Sequence, residues 1–339
     1  VLKTQDKYIK FAFITGVTKF GKVSVFSDLN NLTDISMDNR YVAICGLTEE
    51  ELATNFKQGI EELAKTYGDT IEETIAKLRE RYDGYHFEEH TIGIYNPFSV
   101  LNAMSRKQYK DYWFETGTPT FLVDLLKMHN YRLQNLTTER VSSDVINSID
   151  SMSTNPIPAI YQSGYLTITG YDERFKKYLL GFPNKEVEEG FINFLLPLYS
   201  SAGTDSPFIV DEFVHDVETG KPEQFMQRMK AFFADTSYQV VGNAELYFQN
   251  VMYLVFKMMG FYTQVERPTS DGRMDAIIQT ADYIYIIECK LDGSADEALE
   301  QIATNHYDAP FAMDKRKLIK IGINFSSETR GVESWKIEE

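Results

Sequence analysis

The feature that most constrains the fold is a pair of apolar segments near the C-terminus, "RMDAIIQT" and "YIYIIECK", which only Ala281-Asp282 separates. Both segments are rich in isoleucine and tyrosine, which favour β-strands. Two residues between two such runs are typical of an antiparallel hairpin. A turn at Ala281-Asp282 therefore predicts that Ile277 faces Ile286 across the hairpin.

Charged side chains interrupt these apolar strands. The same register predicts that Asp275 faces Glu288. Because strand side chains alternate between two faces, Lys290 shares the face of Glu288, and Cys289 points to the other face. A register shifted by one residue would separate the two carboxylates. The sequence thus predicts a single face that carries two carboxylates and one ammonium group.

Such a face is suited to a divalent cation. Two carboxylates about 5 Å apart repel each other and are costly to bury unless a cation lies between them. Hard oxygen ligands with waters left over suit Mg²⁺ or Mn²⁺. Lys290 could then hold or activate a water, or neutralise charge that builds up on a phosphate. The alternative is a strand end with solvated charges that form a surface ion pair.

The elements around the hairpin support the first interpretation. Leu, Val and Met recur at three- and four-residue spacing over Ala244–Gly260, which predicts a helix, and Phe261–Arg267 alternates like a strand. After the hairpin, Ser294 and Glu297 form a capping box that begins a second helix. Lys317–Phe325 reads as a last strand. The predicted order is α-β-β-β-α-β.

At this point the segment "GRMDAII…YIYIIECKLDGSADEALEQI" resembles a known family. It is similar to the C-terminal domain of bacterial proteins, of a Bacteroides and clostridial type, that join an AAA-ATPase-like domain to a PD-(D/E)XK nuclease domain. In that superfamily an aspartate and an E-x-K pair form the metal site. The resemblance implies these roles for Asp275, Glu288 and Lys290. It also implies supporting roles for Glu245 on the first helix and Gln301 on the second.

Two positions depart from the family pattern. Met274 stands where the superfamily's name has proline, at a position that varies. Cys289 stands between the glutamate and the lysine, where an apolar residue is expected, and cysteine is compatible with that position. The main-chain carbonyl of Cys289 is a further metal ligand that the resemblance implies.

The resemblance extends upstream. The segments "FITGVTKFGKVSVFSDLNNLTDIS", "YDGYHF", "YNPFSVLN", "YWFETGTPTFL" and "QSGYLTI" are similar to the C-terminal part of the ATPase-like domain and its linker. The phosphate-binding loop is then expected before Val1, so ATP would be a cofactor only of an intact full-length protein. Gly16–Lys22 fits G-x-x-x-x-G-K, but Val23 lacks the hydroxyl that binds Mg²⁺. We therefore expect no ATPase activity from this chain.

The sequence patterns divide the chain into three regions, and the resemblance implies what they are: an ATPase-like remnant at residues 1–118, a helical or winged-helix-like linker at residues 119–204 and a restriction-endonuclease-like domain at residues 205–339. In the first, Lys10–Val17 reads as a buried strand and Thr48–Gly68 as an amphipathic helix. In the second, two strands within Gly164–Asn184 suggest a winged-helix-like unit or an ordinary α+β connector. The predicted fold class is α/β with α+β parts.

The composition of the chain argues against some classes of function. The formal net charge of −16 argues against non-specific nucleic-acid binding by the whole chain, although a local groove or a metal-bridged phosphate is compatible with it. Two cysteines, and neither a membrane-span pattern nor a signal-peptide pattern, favour a cytoplasmic protein that does not contact a membrane. A homo-oligomer is compatible with the sequence.

The function predicted from these observations is Mg²⁺-dependent hydrolysis of DNA phosphodiester bonds by an ATPase–nuclease fusion family member. The alternative is a non-catalytic module with a vestigial nuclease fold, which would bind nucleic acid or a partner and respond to nucleotide.

Overall fold

The computed structural model describes residues 6–16, 33–114, 120–147, 155–199, 206–234, 244–260, 264–266 and 276–339. The chain splits into two compact units, Val1–Phe191 and Ile192–Glu339. The predicted boundaries after residues 118 and 204 stay predictions. No helix within the described ranges is long and apolar enough to cross a membrane.

The first unit is mainly helical. Its α-helices are α1 (Glu49–Asn55), α2 (Lys57–Tyr67), α3 (Ile71–Tyr82), α4 (Pro97–Arg106), α5 (Thr120–Met128), α6 (Ser143–Asn147) and α7 (Ile157–Gln162), and α8 (Lys185–Tyr199) runs across the division between the units. Short 3₁₀ turns cover Asp6–Tyr8, Asn39–Tyr41 and Leu133–Thr137. Buried side chains of α1 to α4 share one hydrophobic core, which includes Leu52, Leu63, Leu78 and Val100.

The helix predicted over Thr48–Gly68 is two helices. The capping box of Thr48 and Glu51 is present at its start, and Gly68 ends it with a left-handed φ of 72°. Between α1 and α2, however, Phe56 leaves helical geometry, with φ −118° and ψ 21°. Phe56 packs against the core of this unit. The prediction of one continuous helix is therefore wrong at this position.

The strand predicted at Lys10–Val17 is also wrong as far as the structure describes it. Residues 10–16 have no strand pairing, and Val17 lies outside the described residues. The side chain of Phe11 is 82% exposed. An apolar run becomes a buried strand only where a neighbouring backbone takes up its hydrogen bonds. The described part of the chain offers this run no such neighbour.

A small sheet completes the first unit. Its strands are β1 (Arg140–Val141), β2 (Thr167–Asp172) and β3 (Lys177–Gly181), in the order β1-β3-β2. The β2–β3 hairpin confirms the two strands predicted within Gly164–Asn184, and β1 adds antiparallel to β3. The winged-helix-like interpretation stays a prediction.

The second unit contains a five-stranded sheet with helices. Its elements are α9 (Ser206–Glu218), α10 (Pro222–Ala234), α11 (Ala244–Met259), β4 (Gln264–Glu266), β5 (Ala276–Gln279), β6 (Tyr283–Leu291), α12 (Ala295–Thr304), a 3₁₀ turn at Ala309–Phe311, β7 (Lys317–Ser326) and β8 (Gly331–Glu338). The strand order is β4-β5-β6-β7-β8. All neighbouring pairs are antiparallel except β6 and β7, which are parallel. The α-β-β-β-α-β order predicted from sequence is confirmed from α11 to β7.

Both faces of β6 are covered. On one face Ile286 packs with Leu299 and Ile302 of α12. On the other, the hydroxyl of Tyr285 donates a 2.8 Å hydrogen bond to the carbonyl of Val217 at the end of α9. Strands that are buried on both sides read as nearly continuous apolar runs, which explains the sequence of β6. A charged side chain on this strand is therefore an exception that needs a reason.

Candidate active site

The hairpin of β5 and β6 has the predicted register. Ile277 is the Cα partner of Ile286. The main-chain N–H of Thr280 donates to the carbonyl of Tyr283 at 2.9 Å, so that Ala281-Asp282 forms the two-residue turn. The faces of both strands are therefore set as the sequence predicted.

Arg316 fixes the closed end of this hairpin. Its guanidinium donates to the side-chain oxygen of Gln279 at 2.8 Å and to the carbonyl of Thr280 at 3.1 Å. Asp314 holds the same guanidinium at 2.7 Å. A planar donor group with several N–H bonds can thus join the residue before β7 to the end of β5. Sequence reasoning missed Arg316, because it lies far from the hairpin along the chain.

Glu288 is a buried carboxylate on the α12-facing side of β6. Its residue is 1% exposed, and its Cα partner on β7 is Gly322. The Nζ atom of Lys290 lies 3.4 Å from the Oε1 atom of Glu288, and the lysine side chain is 28% exposed. Burial of an unpaired carboxylate is costly, so the lysine supplies a partial counter-charge. The partly exposed Lys290 side chain therefore extends from the buried Glu288 carboxylate towards solvent.

Gln301 completes the cluster from α12. The Nζ atom of Lys290 donates a hydrogen bond to the Oε1 atom of Gln301. Ser294 caps this helix, and Glu297 completes the capping box. The helix start is thus fixed seven residues before Gln301. The structure brings Glu288, Lys290 and Gln301 together as predicted.

A glycine on β7 allows α12 to approach the sheet. A Cβ atom added at Gly322 would lie 2.3 Å from the carbonyl oxygen of Ala295 and 3.0 Å from the Cγ atom of Leu299. Only a residue without a side chain fits at such a close approach. The glycine inside an otherwise apolar strand was the signal that could have predicted this contact.

The described contacts leave the roles of two other predicted site residues, Glu245 and Cys289, untested. Glu245 is exposed on α11, where its carboxylate accepts a 3.0 Å hydrogen bond from Gln249. Cys289 is buried, and strand alternation turns its side chain to the opposite face. The roles predicted for Glu245 and for the carbonyl of Cys289 stay predictions.

Asp275 lies outside the described residues, so its pairing with Glu288 stays a prediction. The described part of the chain contains no group of three or more His, Cys, Asp or Glu side chains that could hold a metal ion. Glu288 itself fits a hard cation, because it presents buried carboxylate oxygens. A complete metal site therefore requires at least one ligand from beyond the described ranges, or water.

The turn that follows β6 is held by a network that the sequence did not reveal. Asp292 has a left-handed φ of 53°, and its N–H donates to the carbonyl of Phe325 at 2.8 Å. Its carboxylate accepts from the N–H of Ser327 at 2.8 Å and from the hydroxyl at 2.6 Å. These hydrogen bonds hold the pKa of the Asp292 carboxyl below its usual range. The C-terminal end of β7 therefore fixes where β6 ends.

This geometry agrees with the comparison with protein families. Residues 243–335 match the PD-(D/E)XK nuclease superfamily. The match runs from just before α11 into β8, and it contains Glu288, Lys290 and Gln301. It covers the nuclease part of the resemblance, and the AAA-ATPase-like part stays a prediction.

A curated relative matches the whole chain. It is a protein of Azotobacter chroococcum mcd 1 described as "Uncharacterized protein in vnfD 5'region", which is 30% identical over 352 residues. The alignment covers 100% of this chain and 65% of the relative, so the chain spans about two thirds of the length of the relative. No solved structure matches this chain.

Proposed function

We propose that this chain contains a Mg²⁺- or Mn²⁺-dependent DNA endonuclease, which hydrolyses phosphodiester bonds. The observation that carries the proposal is the cluster of Glu288, Lys290 and Gln301 on β6 and α12. It lies within the superfamily match, whose members are typically metal-dependent nucleases. A buried carboxylate on a doubly covered strand is costly, and a metal ion is a physical reason for it.

We propose that Asp275, Glu288 and the main-chain carbonyl of Cys289 would hold the metal. Extension of the β5–β6 register by one residue beyond Ala276 and Ile287 predicts Asp275 opposite Glu288, on one face of the hairpin. When bound, the cation would polarise the phosphate and lower the pKa of a water ligand. The cation would also neutralise the Glu288 carboxylate, for which Lys290 is the nearby positive charge in the structure.

Lys290 is proposed to position the attacking water and to stabilise the negative charge that builds up on the phosphate. Its ammonium has three donors, of which one points to Glu288 at 3.4 Å and another to Gln301. The partly exposed side chain can reach a phosphate oxygen or the attacking water from this position. Gln301 has no charge, so it can orient the ammonium without neutralising it. Glu245 would act only through a bridging water.

DNA is the proposed substrate, although the chain carries a net charge of −16. That charge, together with the exposed position of Glu245, favours the second candidate function. In this alternative the same fold is vestigial and binds nucleic acid or a partner without catalysis. ATP hydrolysis is not proposed for this chain, since Val23 follows the G-x-x-x-x-G-K segment.

Metal binding and DNA nicking by matched variants test the proposal. We expect the whole chain to bind Mn²⁺ in calorimetry and to nick plasmid DNA, with loss of nicking in a chelator. Glu288→Gln should weaken metal binding and abolish nicking. Lys290→Met should keep the metal but lose about 10²–10⁴ in rate, as expected for loss of a water-activating or charge-stabilising group.

Matched controls change the same charges at exposed positions. Glu300→Gln and Lys315→Met should bind metal and nick DNA like the wild type, because both side chains are exposed in the second unit. Equal nicking by wild type and Glu288→Gln would show that another site or a contaminant acts. A wild type that binds no divalent metal would favour the vestigial module.

A further inference from the structure

A second polar network lies beside Lys290. Asn324 on β7 is the Cα partner of Lys290 in the parallel β6–β7 pair, and it is 2% exposed. Paired residues of neighbouring strands point to the same face of a sheet. Asn324 therefore stands next to Lys290, on the side of the sheet that α12 covers.

Asn324 connects two elements through its side-chain amide. Its Oδ1 atom accepts a 2.9 Å hydrogen bond from the N–H of Gly293, and its Nδ2 group donates to the carboxylate of Glu333 at 2.7 Å. The N–H of Gly293 can only donate and the carboxylate can accept, so the two partners define the orientation of the amide. A buried amide with both ends satisfied is a rigid link.

Glu333 reaches this position because β8 is irregular. The pairing of β7 and β8 shifts between Asn324 and Phe325, since Asn324 pairs with Ser334 and Phe325 with Val332. Glu333 is the extra residue of this bulge. Bulges re-aim a side chain and are frequent beside active sites.

The hydrogen bond from Gly293 to Asn324 holds the turn that packs against the side chain of Lys290. A Cβ atom added at Gly293 would lie 3.2 Å from the Cβ atom of Lys290 and 2.8 Å from the Oε2 atom of Glu297. The backbone of Gly293 thus lies between the stem of the lysine and the capping box of α12. Since α12 carries Gln301, movement of this turn would displace the stem of Lys290 and, through α12, the Gln301 side chain that accepts from its ammonium.

We propose that Asn324 and Glu333 are a positioning pair, which holds the Gly293 turn so that Lys290 and Gln301 stay aligned for catalysis. The inference rests on the proposed nuclease function for its kinetic part. Supporting groups of this kind typically contribute 10- to 100-fold to activity. Neither residue is expected to touch DNA or metal.

A donor–acceptor swap tests the pair. Asn324→Asp puts a carboxylate against Glu333, and the two should repel each other. We expect kcat for Mn²⁺-dependent nicking to fall by about 10-fold or more with little change in KM. The amide of Gly293 should exchange with solvent faster by a similar factor. The double variant Asn324→Asp with Glu333→Gln restores donor against acceptor, and it should return both values to within about threefold of wild type.

Further variants keep the test decisive. Glu333→Leu, at an exposed position, should fold. Like Asn324→Asp, it should lower kcat and speed the exchange of the Gly293 amide. Glu338→Gln removes a charge from the same strand and should change neither. A folded double variant that is no better than Asn324→Asp would overturn the inference, and so would wild-type values for Asn324→Asp. If all single variants unfold, a folded and active double variant supports the pair, and an unfolded one overturns it.

The two proposals fail in different ways. If the wild type neither binds Mn²⁺ nor nicks DNA, the nuclease function fails, and exchange at Gly293 still decides whether Asn324 holds the turn. If the wild type is active and Asn324→Asp is equally active with unchanged exchange, only the positioning pair fails.

Discussion

The main-chain N–H of Trp113 donates a 2.8 Å hydrogen bond to the Oε1 atom of Glu186, whose residue is 0% exposed in the first unit. Burial raises the pKa of this carboxyl to about 7, although the Trp113 hydrogen bond and the nearby Arg81 act in the opposite direction. Glu186 is therefore a buried acid that changes charge near neutral pH.

This pKa predicts a pH-dependent stability. The folded pKa lies above the ordinary value of 4.5. The contribution to stability is thus fully present below pH 4.5 and is lost as the pH rises to about 7. It amounts to at most about 3 kcal/mol. Glu186→Gln should match the wild type near the low end of this window and be more stable above its upper end.

Urea unfolding followed by Trp113 fluorescence, in a Trp335→Phe background, measures this difference. Glu72→Gln, at an exposed position on α3, is the control and should follow the wild type at every pH. If the curves of wild type and Glu186→Gln run parallel from acid to neutral pH, Glu186 does not titrate in this range.

Lys290→Met should destabilise the second unit when no metal is present. The substitution removes the lysine counter-charge of the buried Glu288 carboxylate, and loss of one partner of a buried ion pair costs several kcal/mol. Because Lys290 is partly exposed, we expect about 1–3 kcal/mol at neutral pH. Unfolding followed by Trp335 fluorescence in a Trp113→Phe background, in chelator and again with Mn²⁺, checks this. Metal should recover part of the loss, and an equal loss in both conditions would contradict the proposed site.

Gly322→Ala should displace α12 from the sheet. The added methyl group would meet the carbonyl oxygen of Ala295 at 2.3 Å, which neither backbone can accommodate without movement. Overpacking of this kind costs about 1–3 kcal/mol, and it should also weaken the contact of Lys290 with Gln301. Gly331→Ala is the matched control, since its added Cβ would have no atom closer than 4.0 Å. Equal melting temperatures for the two variants would show that α12 lies farther from β7.

Ser294→Ala should loosen the first turn of α12. The hydroxyl of Ser294 accepts from the N–H of Glu297 at 3.1 Å, and loss of such a cap costs about 1 kcal/mol. Ser294→Asp keeps an acceptor and should retain most of the stability. Chemical denaturation of both variants, with amide exchange over α12, measures the effect. Identical behaviour of the alanine and aspartate variants would mean that the cap contributes nothing.

The parts of the site that sequence could predict depend on local rules. The facing of Ile277 and Ile286 follows from strand alternation and a two-residue turn, both of which are encoded within one short segment. The cap at Ser294 is equally local. These two rules fix the face of Lys290 on β6 and the start of α12, whereas the contact of Lys290 with Gln301 also depends on how α12 packs on the sheet.

The missed parts depend on contacts between distant segments. Nothing near Gly293 indicates that Asn324, 31 residues later, accepts its N–H. The prediction of a strand at Lys10–Val17 was wrong for a related reason. An apolar pattern describes one segment only, and it does not show whether a partner strand exists. β8 was missed because its charged residues weaken the apolar alternation of a typical strand.

Those charges on β8 have a consequence for self-association. β8 ends the sheet in the order of the described strands, and Glu333, Lys336 and Glu338 are exposed along it. A sheet edge with charged side chains and a bulge is a poor template for a strand from a second molecule. If copies of this chain assemble into an oligomer, they should therefore meet through a surface other than this edge, and the backbone groups of β8 should remain available to water.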